Sequence, residues 1–135
     1  MSQLPNKGKL LSLDLGTQRT GVAVSDTEQR VAFPREEILH KSTEELIQQL
    51  NKIIIEEEIT GILAGLPINM KGEVTDQTEI TMEMINELKA AFKLPVQLAD
   101  ERMTSQEAHK NTGQSIVDSE VARILLENHF NSAKL

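Results

Sequence analysis

Three acidic residues interrupt patterns that are otherwise apolar, and their chemistry suits the binding of hard cations. Asp14 ends an apolar run, in Leu13-Asp14-Leu15. A carboxylate at the end of a buried strand is costly unless it is paired or bound to a cation. It either meets a cation or satisfies the following turn in the manner of an Asx turn. Asp100-Glu101-Arg102 closes a second apolar segment. Alternation sends Asp100 and Glu101 to opposite faces, so one can face a site while the other makes a structural bond. A solvated ion pair accounts for the same three residues equally well. Asp118 opens a segment in which Val121, Ala122, Leu125 and His129 follow at helical spacing on one face. It is either an N-cap or a ligand delivered by the helix face that packs on the sheet. Brought together, such carboxylates can hold Mg2+ or Mn2+ through oxygen atoms. A pair of these ions can activate water and stabilise the leaving oxygen in phosphodiester cleavage.

Other candidates carry less chemistry. The segment Gly65-Leu66-Pro67-Ile68-Asn69-Met70-Lys71-Gly72 follows an apolar run. It either offers backbone N–H groups to a phosphate or is a plain strand-to-helix loop, and the second reading is the simpler. His40, His109 and His129 have no mutual metal-ligand spacing and read as surface or helix-end residues. Glu56-Glu57-Glu58 reads as a solvated helix end.

The elements that must position these residues follow from the hydrophobic periodicity. Residues 1–8 read as a loose lead-in. Residues 9–15 are nearly all apolar, as in a central strand covered on both faces. Residues 16–19 read as a turn, 20–25 as a second strand, and 30–33 as a short third strand stopped by Pro34. Ser42 and Glu45 form a capping-box signature, after which Leu46, Ile47, Leu50, Ile53 and Ile54 recur at helical spacing. Residues 59–66 form a strand and 67–74 a loop. Residues 76–92 form a helix with Ile80, Met84, Ile85, Leu88 and Ala91 as its apolar stripe. Pro95 opens a strand over 96–99, Thr104 and Glu107 cap a short helix, and 118–130 is the last helix. The predicted order is βββαβαβαα. It implies an α/β fold with a mixed five-stranded sheet, three strands antiparallel and the rest parallel, and helices on both faces.

Length and composition bound the rest. The 135 residues fit one domain, spanning 1–135. There is no cysteine, which excludes disulfides and thiolate metal sites. No apolar run approaches the ~20 residues of a membrane span, and MSQLPNKGK lacks the apolar core of a signal peptide. A cytoplasmic protein is expected, monomeric or weakly dimeric. The net charge of −7 repels polyanions at long range, so a nucleic-acid binder of this composition leans on a local basic patch or on bound metal ions. Trp and Tyr are absent and Phe occurs three times, which leaves little for base stacking.

Taken in order, these motifs resemble one family. Leu13-Asp14-Leu15-Gly16-Thr17, Arg19 and Gly21-Val22-Ala23-Val24-Ser25-Asp26 look like the opening signature of the YqgF (RuvX) proteins. Gly65-Leu66-Pro67 with Asn69, Met70 and Gly72 is similar to their central loop. Asp100-Glu101-Arg102-Met103-Thr104-Ser105 with Glu107-Ala108 matches their Asp-Glu-Arg motif. Val117-Asp118-Ser119 with Ala122 and Ile124-Leu125 matches their last helix. The resemblance runs from about Leu10 to Phe130 and implies a ribonuclease H-like fold related to the RuvC resolvases. It also implies a metal-dependent nuclease, with maturation of the 5′ end of 16S ribosomal RNA as the usual assignment and resolution of four-way DNA junctions proposed for some members. Carried over by position, it makes Asp14, Glu101 and Asp118 the catalytic, metal-binding acids for Mg2+ or Mn2+. Arg19 and Arg102 are then candidates for substrate phosphate contact or for fixing the acids. One segment departs from the family. Relatives carry a longer, Lys/Arg-rich stretch before the last helix, whereas residues 110–116 here are short and nearly neutral, which weakens an expected contact with the phosphate backbone.

Two other functions compete. Asp-Leu-Gly-Thr also resembles the first phosphate loop of the actin, Hsp70 and sugar-kinase group, but those proteins clasp ATP between two domains, which 135 residues do not supply. A non-catalytic partner protein of the same fold fits the acidic charge and the neutral 110–116 segment; the acid trio argues against it. The sequence thus points to a metal-dependent nuclease on structured nucleic acid, with a precursor of 16S rRNA or branched DNA as substrate.

Overall fold

A computed structural model describes residues 4–69, 71–101 and 118–133, with the backbone alone at 118 and 133. Five strands and three helices are described. They are β1 (Lys9–Asp14), β2 (Arg19–Ser25), β3 (Ala32–Leu39), α1 (Thr43–Glu57), β4 (Ile59–Leu66), α2 (Asp76–Ala91), β5 (Val96–Asp100) and α3 (Asp118–Ala133). The strands form one sheet in the order β3-β2-β1-β4-β5. β1 pairs antiparallel with β2, and β2 with β3. β4 runs parallel to β1, and β5 parallel to β4. This is the mixed sheet that the element order predicts. The short helix expected after Thr104 lies outside the described residues.

The two faces of the sheet are sorted by alternation. Leu11 and Leu13 of β1, Val22 and Val24 of β2, Ile62 and Ala64 of β4 and Val96 of β5 pack against Leu46 and Leu50 of α1 and Met84, Ile85 and Leu88 of α2. Leu10, Ala23 and Leu63 point the other way, against Val121, Ala122, Leu125, Leu126 and Phe130 of α3. Each fully buried Leu or Ile contributes about 1.5–3 kcal/mol of burial. Near-continuous apolar strands at the centre are therefore required, since both faces are covered.

Helix boundaries follow local chemistry. Ser42 Oγ accepts from Glu45 N–H at 3.1 Å, and Lys41 N–H donates to Glu45 Oε2 at 3.3 Å, which satisfies orphan donors at the start of α1. Glu58, with φ of 55°, ends α1 in the left-handed region. Glu57 meets Lys9 of β1 at 3.0 Å and Arg35 of β3 at 2.6 Å, so the predicted solvated end is held to the sheet instead.

Four expectations are corrected. The third strand does not stop at Pro34, which pairs with Ala23 while β3 continues to Leu39. β3 is an edge strand with a single neighbour, and there the missing proline N–H is tolerated. The lead-in is not loose from Leu4 onward. Leu4 is buried in the α3-side core, Gly8 N–H donates to Thr27 O, and Gln29 Nε2 donates to the carbonyls of Pro5 and Gly8. On α2, Ile80 and Ala91 face solvent, and Thr78 and Thr81 take their places on the buried face. His40 is not a surface residue: it is buried, with Nε2 at 2.9 Å from Thr20 Oγ1.

Candidate active site

The parallel strands β1, β4 and β5 end at one edge of the sheet, the place where open α/β sheets keep their ligand sites. A cleft of about 300 Å³ lies there. Asp14, the last residue of β1, and Glu101, the first residue after β5, both line it. Arg19 enters from the start of β2 and Gln77 from the first turn of α2; Leu15, Gly16 and Pro67 complete the walls.

Alternation explains why these two acids meet. Leu11 and Leu13 face α1 and α2, so Asp14 falls on the α3 face with Leu10. On β5, Val96 faces α1 and α2 while Ala99 packs on the α3 side, so Glu101 shares the face of Asp14 and Asp100 takes the opposite one. β1 and β5 are separated by β4, roughly 9–10 Å apart at the usual strand spacing. The intervening residue on that face of β4 is Gly65, in register with Ala99. A β-carbon there would lie 2.2 Å from Glu101 Oε2. The Glu101 carboxylate therefore occupies the side-chain space of the middle strand and leans from β5 toward β1. A glycine inside a strand permits such a close approach.

The remaining predicted residues are placed less completely. The backbone of Asp118 begins α3, and the next residue, Ser119, accepts a hydrogen bond from Val22 N–H at 3.1 Å. Val22 is in register with Leu13, next to Asp14, and lies where the β2–β3 register shifts. The bulge directs a strand N–H to the helix, and the start of α3 docks beside the carboxyl end of β1. The Asp118 side chain, Arg102, His109 and residues 110–116 lie outside the described residues. Among the described residues no group of three His, Cys, Asp or Glu side chains could hold a metal. Asp14 and Glu101 are the two acids that the cleft brings together. Arg19 is largely exposed at the rim, 3.9 Å from Glu37 Oε1. Its turn requires Gly16, where a β-carbon would strike the Arg19 carbonyl oxygen at 2.3 Å.

Sequence reasoning missed Gln77, which no spacing singles out. It also left the 65–72 loop between two readings, and the hydrogen bonds favour the plainer one. Asn69 Oδ1 accepts from the N–H groups of Lys71 and Glu73, while Asn69 N–H and Gly72 N–H bond to carbonyls within the loop. Donors already used this way are not offered to a phosphate. Two larger hollows, of about 430 and 580 Å³, lie beside the end of β3 and α1, and neither contains Asp14 or Glu101.

The profile of the family described as RuvX, Holliday junction resolvase, matches residues 8–132. The chain belongs to the RuvX family. This RuvX chain is 37% identical over 106 residues to a Rickettsia felis protein named "Putative pre-16S rRNA nuclease", which covers 78% of this chain and 68% of the relative. It is 31% identical over 134 residues to a Chloroflexus aurantiacus protein of the same name, covering 93% and 88%. Among solved structures, T. thermophilus RuvC in complex with a Holliday junction substrate matches with a TM-score of 0.63 at 10% identity, over 94% of this chain and 96% of that one. The fold of this RuvX chain is thus the ribonuclease H-like α/β fold expected from its sequence, shared with RuvC.

Proposed function

We propose that this chain is a divalent-metal-dependent endonuclease that hydrolyses phosphodiester bonds in structured nucleic acid, with processing of the 5′ end of the 16S rRNA precursor in the cytoplasm as its task. The observation that carries this reading is the convergence of Asp14 and Glu101 in one cleft, made possible by the bare backbone of Gly65. The donor set fits Mg2+ or Mn2+: both groups are hard carboxylate oxygens, and among the described residues no imidazole lines the cleft. Asp14 and Glu101, with Asp118 from the start of α3, would hold one or two such ions. When bound, the ions supply an activated water at neutral pH and neutralise charge on the leaving oxygen.

The chain's own residues do the rest. Arg19, exposed at the rim beside Glu37, contacts a substrate phosphate, and Arg102 is assigned the same role. Leu15 and Pro67 give the cleft apolar walls. Bound cations also offset the net charge of −7 where the phosphate backbone approaches. The names of the two relatives favour precursor rRNA. Cleavage of branched DNA is the second reading, favoured by the description of the family profile.

The test is cleavage of a 16S precursor fragment and of a four-way DNA junction, with Mg2+, with Mn2+ and with a chelator. The RNA is expected to be cut with either ion and to stay whole with chelator. Asp14→Asn is expected to lower the rate by at least about 100-fold, as loss of a metal ligand should. Equal cleavage by Asp14→Asn and the parent would sink the reading.

A further inference from the structure

We propose that Gln77 reads the 2′-hydroxyl of a ribose beside the cleaved phosphate and is the residue by which this cleft tells RNA from DNA. The inference rests on the nuclease reading above and adds a specificity contact to it.

Gln77 is the one neutral amide side chain lining the cleft among the described residues. It sits in the first turn of α2, and that turn is fixed to the cleft wall. Thr75 Oγ1 accepts from Thr78 N–H at 3.3 Å, and Thr75 N–H donates to Thr78 Oγ1 at 3.0 Å. Thr78 Oγ1 in turn donates its proton to the carbonyl of Pro67, itself a wall of the cleft. The Thr75–Thr78 hydroxyl contact, 3.1 Å long, must then use the Thr75 proton. Gln77 is therefore held beside Asp14 and Glu101 by a bonded frame, while among the described residues no protein group is bonded to its amide.

The chemistry of that amide selects its target. A primary amide carries donors and an acceptor together. A phosphate oxygen needs donors alone, and Arg19 already brings those to the cleft. A base needs a stacking surface to be held in place, and no aromatic residue lines the cleft among the described residues. The ribose 2′-hydroxyl is both donor and acceptor, lies one sugar away from the reacting phosphate, and is the group by which a protein distinguishes RNA from DNA at a given site.

The experiment compares the parent and Gln77→Met on two versions of one 16S precursor fragment, all-ribose and with 2′-deoxynucleotides flanking the cleaved bond. The parent is expected to favour the all-ribose fragment by about ten-fold in kcat/KM, the scale of one net hydrogen bond. Gln77→Met is expected to lower cleavage of the all-ribose fragment about ten-fold more than that of the deoxy version, bringing their ratio close to one. Its melting temperature should match the parent, since Gln77 is exposed. A parent ratio near one, or a Gln77→Met ratio equal to the parent's, overturns the proposal. A parent that cuts neither RNA nor junction with either ion overturns the nuclease reading and this contact with it, an outcome distinct from an unchanged ratio.

Discussion

A methyl group added at Gly65 would sit 2.2 Å from Glu101 Oε2 and 2.8 Å from Leu125 Cδ1. Neither neighbour is free to give way without cost: Leu125 is buried in the α3-side core, and Glu101 is a wall of the cleft. Gly65→Ala should therefore push the carboxylate off the middle strand. We expect an increase of ten-fold or more in the Mg2+ concentration needed for half-maximal cleavage, the scale seen when a metal ligand is misplaced. Overpacking should also destabilise the chain by about 1–3 kcal/mol. Titration of the rate with Mg2+, beside a denaturant melt, separates the two effects; an unchanged Mg2+ requirement would show that Glu101 is not held by this space. The residues that make the site differ in how plainly the sequence shows them. Asp14 and Glu101 are legible because charge breaks an apolar pattern. Gly65 looks like one more small residue until β5 is laid beside β4, and Gln77 looks like any polar residue at a helix start. Their roles depend on neighbours brought in by the fold, which periodicity does not encode.

At the scale of elements, α3 is packed on the sheet by its apolar face, and one hydrogen bond ties its first turn to β2. Val22 N–H leaves the regular ladder where the β2–β3 register shifts and donates to Ser119 Oγ, and both residues are buried. Ser119→Ala leaves that N–H without its acceptor, at a cost of about 1–3 kcal/mol. It also loosens the backbone that bears Asp118. The expected outcome is a lower melting midpoint together with a weaker response to Mg2+; Ser119→Thr, which keeps the hydroxyl, should recover most of both. Loss of stability with an unaltered Mg2+ response would place the start of α3 outside the proposed metal site. Most elements were legible because both central strands and helices carry strong patterns. The errors arose where tertiary context overrides local preference. Pro34 reads as a strand stop only if β3 has neighbours on both sides, and an edge strand has one. The stripe on α2 was misread because Thr78 and Thr81, not apolar residues, fill two of its buried positions. Leu4 was missed because one apolar residue in a polar lead-in has no periodicity, yet it packs over Gly61 of β4.

Across the whole molecule, two titrating groups that lie away from the cleft give the fold part of its sensitivity to acid. Glu57 is held below its ordinary pKa of 4.5, first by the hydrogen bond from Lys9, with burial opposing and the charge of Arg35 assisting. The stabilisation it brings is complete above the unfolded value and is lost as pH falls through the lowered one. His129 is held below its ordinary 6.5 by burial on α3. Folding keeps that imidazole neutral, so its cost is absent above 6.5 and grows as pH falls toward the lowered value. The melting temperature should therefore decline in two stages on acidification, one beginning near neutrality and one in the glutamate range. His129→Asn should remove the first stage and leave the second. Glu57→Gln should weaken the second, to which Asp26 also contributes, its pKa lowered against burial by hydrogen bonds from backbone N–H groups, and should lower stability at pH 7 by about 1 kcal/mol, a modest figure because solvent reaches Lys9 and Arg35. Glu57 ties β1, β3 and the end of α1 together at the amino end of β1, opposite the edge where Asp14 and Glu101 meet. Glu57→Gln should for that reason leave the Mg2+ requirement of cleavage where it was. Melting curves from pH 3 to 8 for the parent and the two variants, read beside their cleavage rates at pH 7, separate a sheet braced at one end from the proposed reaction at the other. A Glu57→Gln variant that needed more Mg2+ would mean that the two ends of β1 are coupled.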